Sequence, residues 1–181
     1  GTTVSKATLH NEDELRRKDV RIGDKVVIRK AGEIIPEVVR VLADERDGSE
    51  QEYSFPSECP ACGAQVVREE GEAATRCVNA ECPAQLKRLV EHFVGRDKMN
   101  IDRIGEQLAA SLVESGLVRD VADLFYLTKE QLLTLERMAD KSAQNVLDSI
   151  EAAKHPPLAR LLYALGIRHV GERTAELLAE R

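Results

Sequence analysis

The residues in this sequence best suited to chemistry are its four cysteines. Two residues separate Cys59 from Cys62, four separate Cys77 from Cys82, and fourteen lie between the pairs. That is the spacing of a zinc ribbon. Zn2+ takes four soft ligands in a tetrahedron, and two tight knuckles each present two thiolates to one ion. Pro60 and Gly63 favour such a knuckle in the first pair. Four thiolates leave no position for water, so the expected site is structural rather than catalytic. The expected metal ligands are Cys59, Cys62, Cys77 and Cys82. Two alternatives compete. A redox Cys-x-x-Cys would need a strand-helix-strand around Cys59, and disulfides would need an oxidising compartment that no signal segment announces. His92, ten residues past Cys82 in a helical pattern, reads as an ordinary surface or half-buried residue. Metal binding of this kind supplies about 10–16 kcal/mol of apparent folding free energy to a segment that has few apolar residues of its own.

A second chemistry lies in the turns. Ile101-Asp102-Arg103-Ile104-Gly105-Glu106, Leu135-Glu136-Arg137-Met138-Ala139-Asp140 and Gly166-Ile167-Arg168-His169-Val170-Gly171-Glu172 form a weak repeat. The units are 34 residues apart from Gly105 to Ala139 and 32 from Ala139 to Gly171. A tight glycine turn lets backbone N–H groups approach a phosphate, and the following helix N-terminus adds partial positive charge. Such contacts read a nucleic-acid backbone rather than its sequence. Gly105, Gly166 and Gly171 fit that role, and Lys141, Arg168 and Arg173 lie beside the turns, where they could neutralise phosphates. The plainer alternative is an ordinary helix-turn-helix unit in which glycine merely ends a helix.

A scan for catalytic machinery is mostly negative. There is no Walker phosphate loop, no Gly-x-Gly-x-x-Gly and no His-Glu-x-x-His. Glu45-Arg46-Asp47-Gly48 resembles a nucleotidyl-transferase Lys-x-Asp-Gly, but a carboxylate at Glu45 cannot form the phosphoramide that a lysine amine forms, so the segment reads as a loop. His10, His155 and His169 show no acid-base partner in the sequence.

Three textures position these groups. Residues 1–55 are β-rich: Val26-Val27-Ile28 and Ile34 through Leu42 are strand candidates, with a tight turn at Ala31-Gly32. Pro36 suggests an edge position because it cannot donate to a ladder. Asn11, followed three residues later by Glu14, predicts a capping box opening a short polar helix. This is a piece of a small barrel, with too few strands to close one. Residues 56–83 hold the cysteines. Residues 84–181 are helical, with Leu86, Leu89, Val90 and Phe93 at helix spacing, and Leu108, Leu112 and Val113 likewise. Gly116 is a C-cap candidate, Thr128 with Gln131 a second capping box, Val146, Leu147 and Ile150 a further helix, and Pro156-Pro157 a break before Leu158–Leu165. Gly171 opens the last of six or so helices.

Composition sets outer bounds. The 181 residues are 43% hydrophobic and 32% charged, which excludes a disordered chain, and only 3% aromatic, so the core must be aliphatic. Net charge is −6. The average hides eight basic against four acidic residues from Leu15 to Arg40, and it is the local field that meets a partner. No apolar run reaches the ~18 residues that span a bilayer. The chain opens Gly-Thr-Thr without Met, as an excised fragment or a processed product would. With no secretory signal, the cytosol is the expected compartment.

The residues converge on one family. Gly1-Thr-Thr-Val-Ser-Lys-Ala-Thr-Leu-His-Asn11 resembles the middle of the OB-fold domain of bacterial NAD-dependent DNA ligases. Arg21-Ile-Gly-Asp-Lys-Val-Val-Ile-Arg-Lys-Ala-Gly-Glu-Ile-Ile-Pro36 is similar to the strands and hairpin that follow. The cysteine block, Lys141-Ser-Ala-Gln-Asn145 and Leu161-Leu-Tyr-Ala-Leu-Gly-Ile-Arg168 continue the likeness in order. The implied fold class is α+β multidomain. It comprises a partial OB-fold β-barrel over 1–55, a small four-cysteine zinc ribbon over 56–83, and an all-α helix-hairpin-helix bundle over 84–181, incomplete at its C-terminus. The resemblance implies an enzyme that seals nicks in duplex DNA during replication and repair. A lysine takes AMP from NAD, the AMP passes to the 5′-phosphate, and the 3′-hydroxyl displaces it. It also implies that NAD and Mg2+ are held by domains outside this chain, that the chain alone does not ligate, and that the protein is monomeric, cytoplasmic and nucleoid-associated, with no membrane partner. The zinc finger would link two DNA-gripping parts. Arg29, Lys30 and Gly32 on the hairpin would face DNA, and Gly105, Lys141, Gly166 and Gly171 would sit at phosphate-facing turns. The sequence departs from the family where Arg103 fills the first glycine place of one hairpin and Arg137 and Ala139 fill both in the next. A fourth hairpin and a BRCT domain are also absent from the sequence.

Two other functions remain open on the residues alone: a sequence-independent nucleic-acid-binding module, and a zinc-linked scaffold recruiting proteins through an acidic surface. Few aromatics disfavour single-strand binding, which needs stacking platforms.

Overall fold

The computed structural model describes residues 3–31 and 35–181. The chain divides into two compact units, Gly1–Val78 and Asn79–Arg181.

In the first unit, α1 (Glu12–Arg17) starts at Asn11, whose extended backbone lets Oδ1 accept from the Glu14 N–H at 2.9 Å. The expected capping box is only half formed. The Glu14 carboxylate turns to the Arg17 guanidinium at 2.7 and 2.8 Å, and the Asn11 N–H donates to the Leu9 carbonyl. A charged partner one turn on outcompetes a neutral N–H for the carboxylate. Glu12, Asp13 and Glu14 in the first turn and Arg16 and Arg17 in the last complement the helix dipole.

Strands β1 (Val26–Ala31) and β2 (Ile35–Val41) pair antiparallel, Val26 opposite Val41 and Ala31 opposite Ile35, with a register shift between Val27 and Ile28. Ala31 is the last residue of β1; Gly32 and Ile34, on which the expected turn and strand start fall, lie outside the described residues. The Pro36 carbonyl accepts from Thr8 N at 2.7 Å, and Val38 N donates to Thr8 O at 3.0 Å, a short parallel bridge on the far side of β2. Proline's missing donor therefore faces away from β1 and costs the ladder nothing. Among the described residues of this unit, the buried apolar side chains are Val38 and Cys59. Tyr53 and Phe55, edge to face at 4.9 Å, line an open groove with Leu9, Leu15, Val20 and Ile22.

Ions do much of the joining. Arg46, just past a 3-10 turn (Ala43–Glu45), donates to both carboxylate oxygens of Asp24 at 2.7 and 2.8 Å and to Asp19 at 2.7 Å. The Arg46 guanidinium holds the Asp24 carboxyl down to about 2. Strands β3 (Val66–Arg68) and β4 (Thr75–Cys77) make a second hairpin, and Arg68 forks onto Asp13 of α1.

The second unit is helical: α2 (Pro83–Phe93), α3 (Glu106–Glu114), α4 (Lys129–Leu133), α5 (Asp140–Ala152), α6 (Leu158–Ala164) and α7 (Glu172–Ala179). Pro83 opens α2, where its missing N–H is harmless. Gly116, at φ +72°, follows the end of α3 in the left-handed conformation expected of a terminator. Thr128 and Gln131 form a reciprocal capping box, at 3.3 and 2.9 Å. A 3-10 helix at Val121–Tyr126 has no counterpart in the sequence reading. Its signal is Asp120, whose carboxylate accepts from the N–H groups of Ala122 and Asp123 at 2.7 and 3.2 Å. The core is aliphatic as composition requires: Val90, Ile101, Leu112, Val118, Leu124, Leu132, Val146 and Ile150 are buried, with Phe93 set edge to face against Phe125.

Candidate metal centre and nucleic-acid interface

Each cysteine pair sits on a knuckle built by its own backbone. In the first, Cys59 N donates to Ala64 O at 2.7 Å and Gly63 N to Cys59 O at 2.8 Å. Gly63 adopts φ +70°, a turn that L side chains resist. In the second, Cys77 ends β4, Asn79 accepts from Glu81 N at 3.0 Å, Cys82 N donates to Asn79 O at 3.1 Å, and Cys82 immediately precedes α2. The four Sγ atoms lie within 4.8 Å of one another. Cys62 Sγ and Cys77 Sγ are 3.6 Å apart, too long for a disulfide bond of about 2.05 Å. Four sulfurs at about 2.3 Å from a tetrahedral zinc would be about 3.8 Å from each other, so the spacing fits the ion. The donor set is soft and complete, which suits a structural zinc and leaves no coordination site for substrate. His92 is elsewhere: its Nε2 is 3.0 Å from the Tyr163 carbonyl and its ring meets Tyr163 edge on.

The three turns found in the sequence share one hydrogen-bond pattern. A turn hydrogen bond closes each: Ile104 N to Ile101 O at 3.2 Å, Met138 N to Leu135 O at 3.3 Å, and Val170 N to Ile167 O at 2.9 Å. Next comes an extended N-cap with no capping side chain, Gly105, Ala139 or Gly171. Four residues on, the N–H of Ala109, Ala143 or Ala175 donates to that N-cap carbonyl at 2.9 Å. All three alanines are fully buried, the small residue letting the helices approach. Arg137 and His169 occupy equivalent places at φ +60° and +65°, whereas Arg103 does not adopt a positive φ. The second and third turns thus demand the left-handed backbone that glycine supplies most cheaply, and bear a side chain there at a cost of about 1–2 kcal/mol.

The glycines divide. Gly166, at φ +63°, ends α6, and an added Cβ would stand 3.0 Å from Leu89 Cδ1. Helix termination and packing account for it. A Cβ at Gly105 or Gly171 would meet open space, and neither has positive φ. Neither packing nor backbone strain requires glycine at those two positions.

Family models for the NAD-dependent DNA ligase OB-fold domain, its C4 zinc finger domain, and a helix-hairpin-helix motif match residues 1–50, 58–84 and 160–181. The chain is 59% identical over 182 residues to a DNA ligase of Halothermothrix orenii. It is 58% identical over 182 residues to one of Symbiobacterium thermophilum and 56% over 179 residues to one of Bacillus subtilis. These alignments take in 99–100% of this chain. The chain belongs to the NAD-dependent DNA ligase family. It spans 27% of the length of each of these relatives.

Within this ligase segment, the zinc finger match contains all four clustered thiols, the OB-fold match contains α1 and the β1–β2 pair, and the hairpin match contains α7 and most of α6. Arg29 on β1 is well exposed, yet it forks onto Glu37 Oε1 at 2.6 and 3.1 Å. Glu37 Oε2 is 2.9 Å from His10 Nε2. The sequence reading of His10 as partnerless is therefore wrong: its partner lies 27 residues away, brought close by the Thr8–Glu37 bridge. Arg29 first, then His10, hold the Glu37 carboxyl below its ordinary range. Lys30, opposite Pro36, is exposed. Lys141 in the first turn of α5 is exposed, as is Arg168 in the third turn. Arg173 on α7 is exposed and pairs with Glu176 at 2.7 Å. Each second helix starts on an acid, Glu106, Asp140 or Glu172, and Asp140 is paired with Lys129 at 2.9 Å. The segment Glu45–Gly48 is a 3-10 end and loop, with Asp47 N and Gly48 N donating to the Glu50 carboxylate at 3.0 Å each. Among the described residues, no helix is long and apolar enough to cross a membrane.

Proposed function

We propose that this chain is the part of an NAD-dependent DNA ligase that grips nicked duplex DNA. Three functional stretches carry it: residues 1–55 as OB-fold, 56–83 as a zinc-bound finger, and 84–181 as helical hairpins. The observation that bears most weight is the open space at Gly105 and Gly171. Nothing inside the protein requires glycine there, and a phosphate oxygen approaching the uncapped N–H groups of α3 and α7 does. Lys141, Arg168 and Arg173 flank the turns; Arg29 and Lys30 offer charge on β1. Gly166, which shapes the turn after α6, is a further proposed DNA-facing position of the helical unit, and Gly32, outside the described residues, is one proposed for the first unit. Glu37 orients Arg29 and offsets its charge with its own, so Lys30 contributes more to attraction.

The zinc is structural and keeps the finger folded. In this reading, nick sealing in replication and repair belongs to the longer ligase, in which NAD supplies AMP to a lysine and Mg2+ assists. The AMP-accepting lysine belongs, in this reading, to a domain outside these 181 residues, so they bind without ligating. The proposed state is a monomer in the bacterial cytoplasm, associated with the nucleoid. Fluorescence anisotropy with nicked duplex across a salt series tests the DNA grip. The expected result is tight binding at low salt, with log K falling by about 0.9 per phosphate contact for each tenfold rise in salt. No affinity at low salt would leave the protein-scaffold reading standing.

A further inference from the structure

We propose that Cys62 and Cys77 are the oxidation-sensitive edge of the metal centre, and that a hydroperoxide couples them into a disulfide while Cys59 and Cys82 remain thiols. The inference rests on the four-thiolate metal reading and not on DNA binding.

The four sulfurs are not equivalent. Cys82 retains 1% of its exposure and Cys59 8%, whereas Cys62 and Cys77 are half-buried. A small oxidant in solvent meets Cys62 and Cys77 first, and buried structural thiols are inert for want of access. The sulfurs of these two less buried cysteines also lie 3.6 Å apart. A sulfenate formed on either has a thiolate within reach to resolve it, which diverts the chemistry from irreversible sulfinate. The backbone favours the coupling. Cys77 stands opposite Val66 in the β3–β4 pair, so the strands already hold the two stretches together. Bond formation needs the 3.6 Å gap to close to about 2.05 Å.

The electrons balance. The Cys62 thiolate attacks one peroxide oxygen, the O–O bond breaks, and hydroxide leaves, giving Cys62 sulfenic acid. The Cys77 thiolate attacks that sulfur, the S–S bond forms, and a second hydroxide leaves. Two thiolates lose two electrons, and the peroxide gains them and becomes two waters after taking up two protons. The roles of Cys62 and Cys77 can be exchanged without altering the sum. Cys59 and Cys82 then offer only two ligands, too few for a closed structural zinc site, and the ion is released.

The test uses the wild-type chain, zinc-loaded and assayed for metal before treatment. It is titrated with hydrogen peroxide, quenched with iodoacetamide and mapped by peptide mass spectrometry, while a chromogenic chelator reads released zinc. The expected first product is a Cys62–Cys77 cross-linked peptide, two hydrogens lighter, with Cys59 and Cys82 alkylated. One zinc is lost per disulfide, and dithiothreitol with added zinc restores the starting state. A first disulfide containing Cys59 or Cys82, zinc loss with all four thiols still alkylatable, or no reaction at large peroxide excess overturns the proposal. A chain without metal before any peroxide is added overturns the four-thiolate reading itself, and the proposal with it.

Discussion

The internal repeat makes a sharp prediction about two leucines. Counting seven residues from the N-cap of each hairpin's second helix gives Leu112 after Gly105, Val146 after Ala139 and Leu178 after Gly171. The first two are buried, at 0% and 3% exposure, while Leu178 is 51% exposed. The same position in the same motif is core twice and surface once. Truncating Leu112 to Ala removes a fully buried side chain of about 1.5–3 kcal/mol transfer value. It also leaves a cavity in the aliphatic core of the helical unit, for a total of about 3–4 kcal/mol. At Leu178 about half the transfer value is already forgone and no cavity closes, so Leu178→Ala should cost about 1 kcal/mol or less. Urea unfolding followed at 222 nm reads the helical unit directly. The expected midpoints are a large drop for Leu112→Ala and a small one for Leu178→Ala, with unchanged slopes. Equal losses would mean that the α7 face is covered in solution, and would refute the reading of Leu178 as an open position.

Three further outcomes follow from the structure. Arg137→Gly should stabilise the helical unit by about 0.5–1 kcal/mol, because relief of the left-handed strain exceeds the added chain entropy of glycine; a lower midpoint in urea would contradict the φ of +60°. The Asp24 carboxyl, held down to about 2 by Arg46, contributes stability that is fully present above its unfolded value near 4 and is lost as pH falls from there toward 2. Asp24→Asn should flatten that acid limb, and an unchanged limb would remove Arg46 from its cause. Lys30→Ala should lower the steepness of salt dependence on nicked duplex by about 0.9 in log K per log salt, with Arg29→Ala, whose charge Glu37 already offsets, changing it less; equal effects would argue that Glu37 releases Arg29 on binding.

What could be read ahead of the structure was local. The knuckles are made by residues three to five apart, and the spacing of cysteines reports them. The three turns are six-residue patterns, and the buried alanine four places past each N-cap follows from helix geometry alone. Asn11, Thr128, Gly116 and Pro156-Pro157 act on their immediate neighbours, and their positions carried the helix boundaries. What escaped was long-range. His10 and Glu37 are 27 residues apart, and Arg46 reaches Asp19 across 27 and Asp24 across 22. No periodicity marks such pairs, since a charged residue on a solvated face and one locked in an ion pair look the same in sequence.

That division bears on which parts of the chain rest on what. The helical unit has a continuous aliphatic core, so its hairpins are presented by a scaffold that local patterning was able to announce. The other unit buries almost no aliphatic side chain among its described residues beyond Val38, and it is joined by Arg46, Arg68, Arg29 and their acids. Exposed ion pairs individually contribute little, and they are screened by salt. Salt should therefore act twice on DNA affinity, by counterion release at the phosphates and by loosening the very pairs that hold β1 and α1 in place. Separating the two requires a control that lacks the first. Melting of the unbound chain across the same salt series supplies it, and a transition that does not move with salt would assign the whole slope to phosphate contacts.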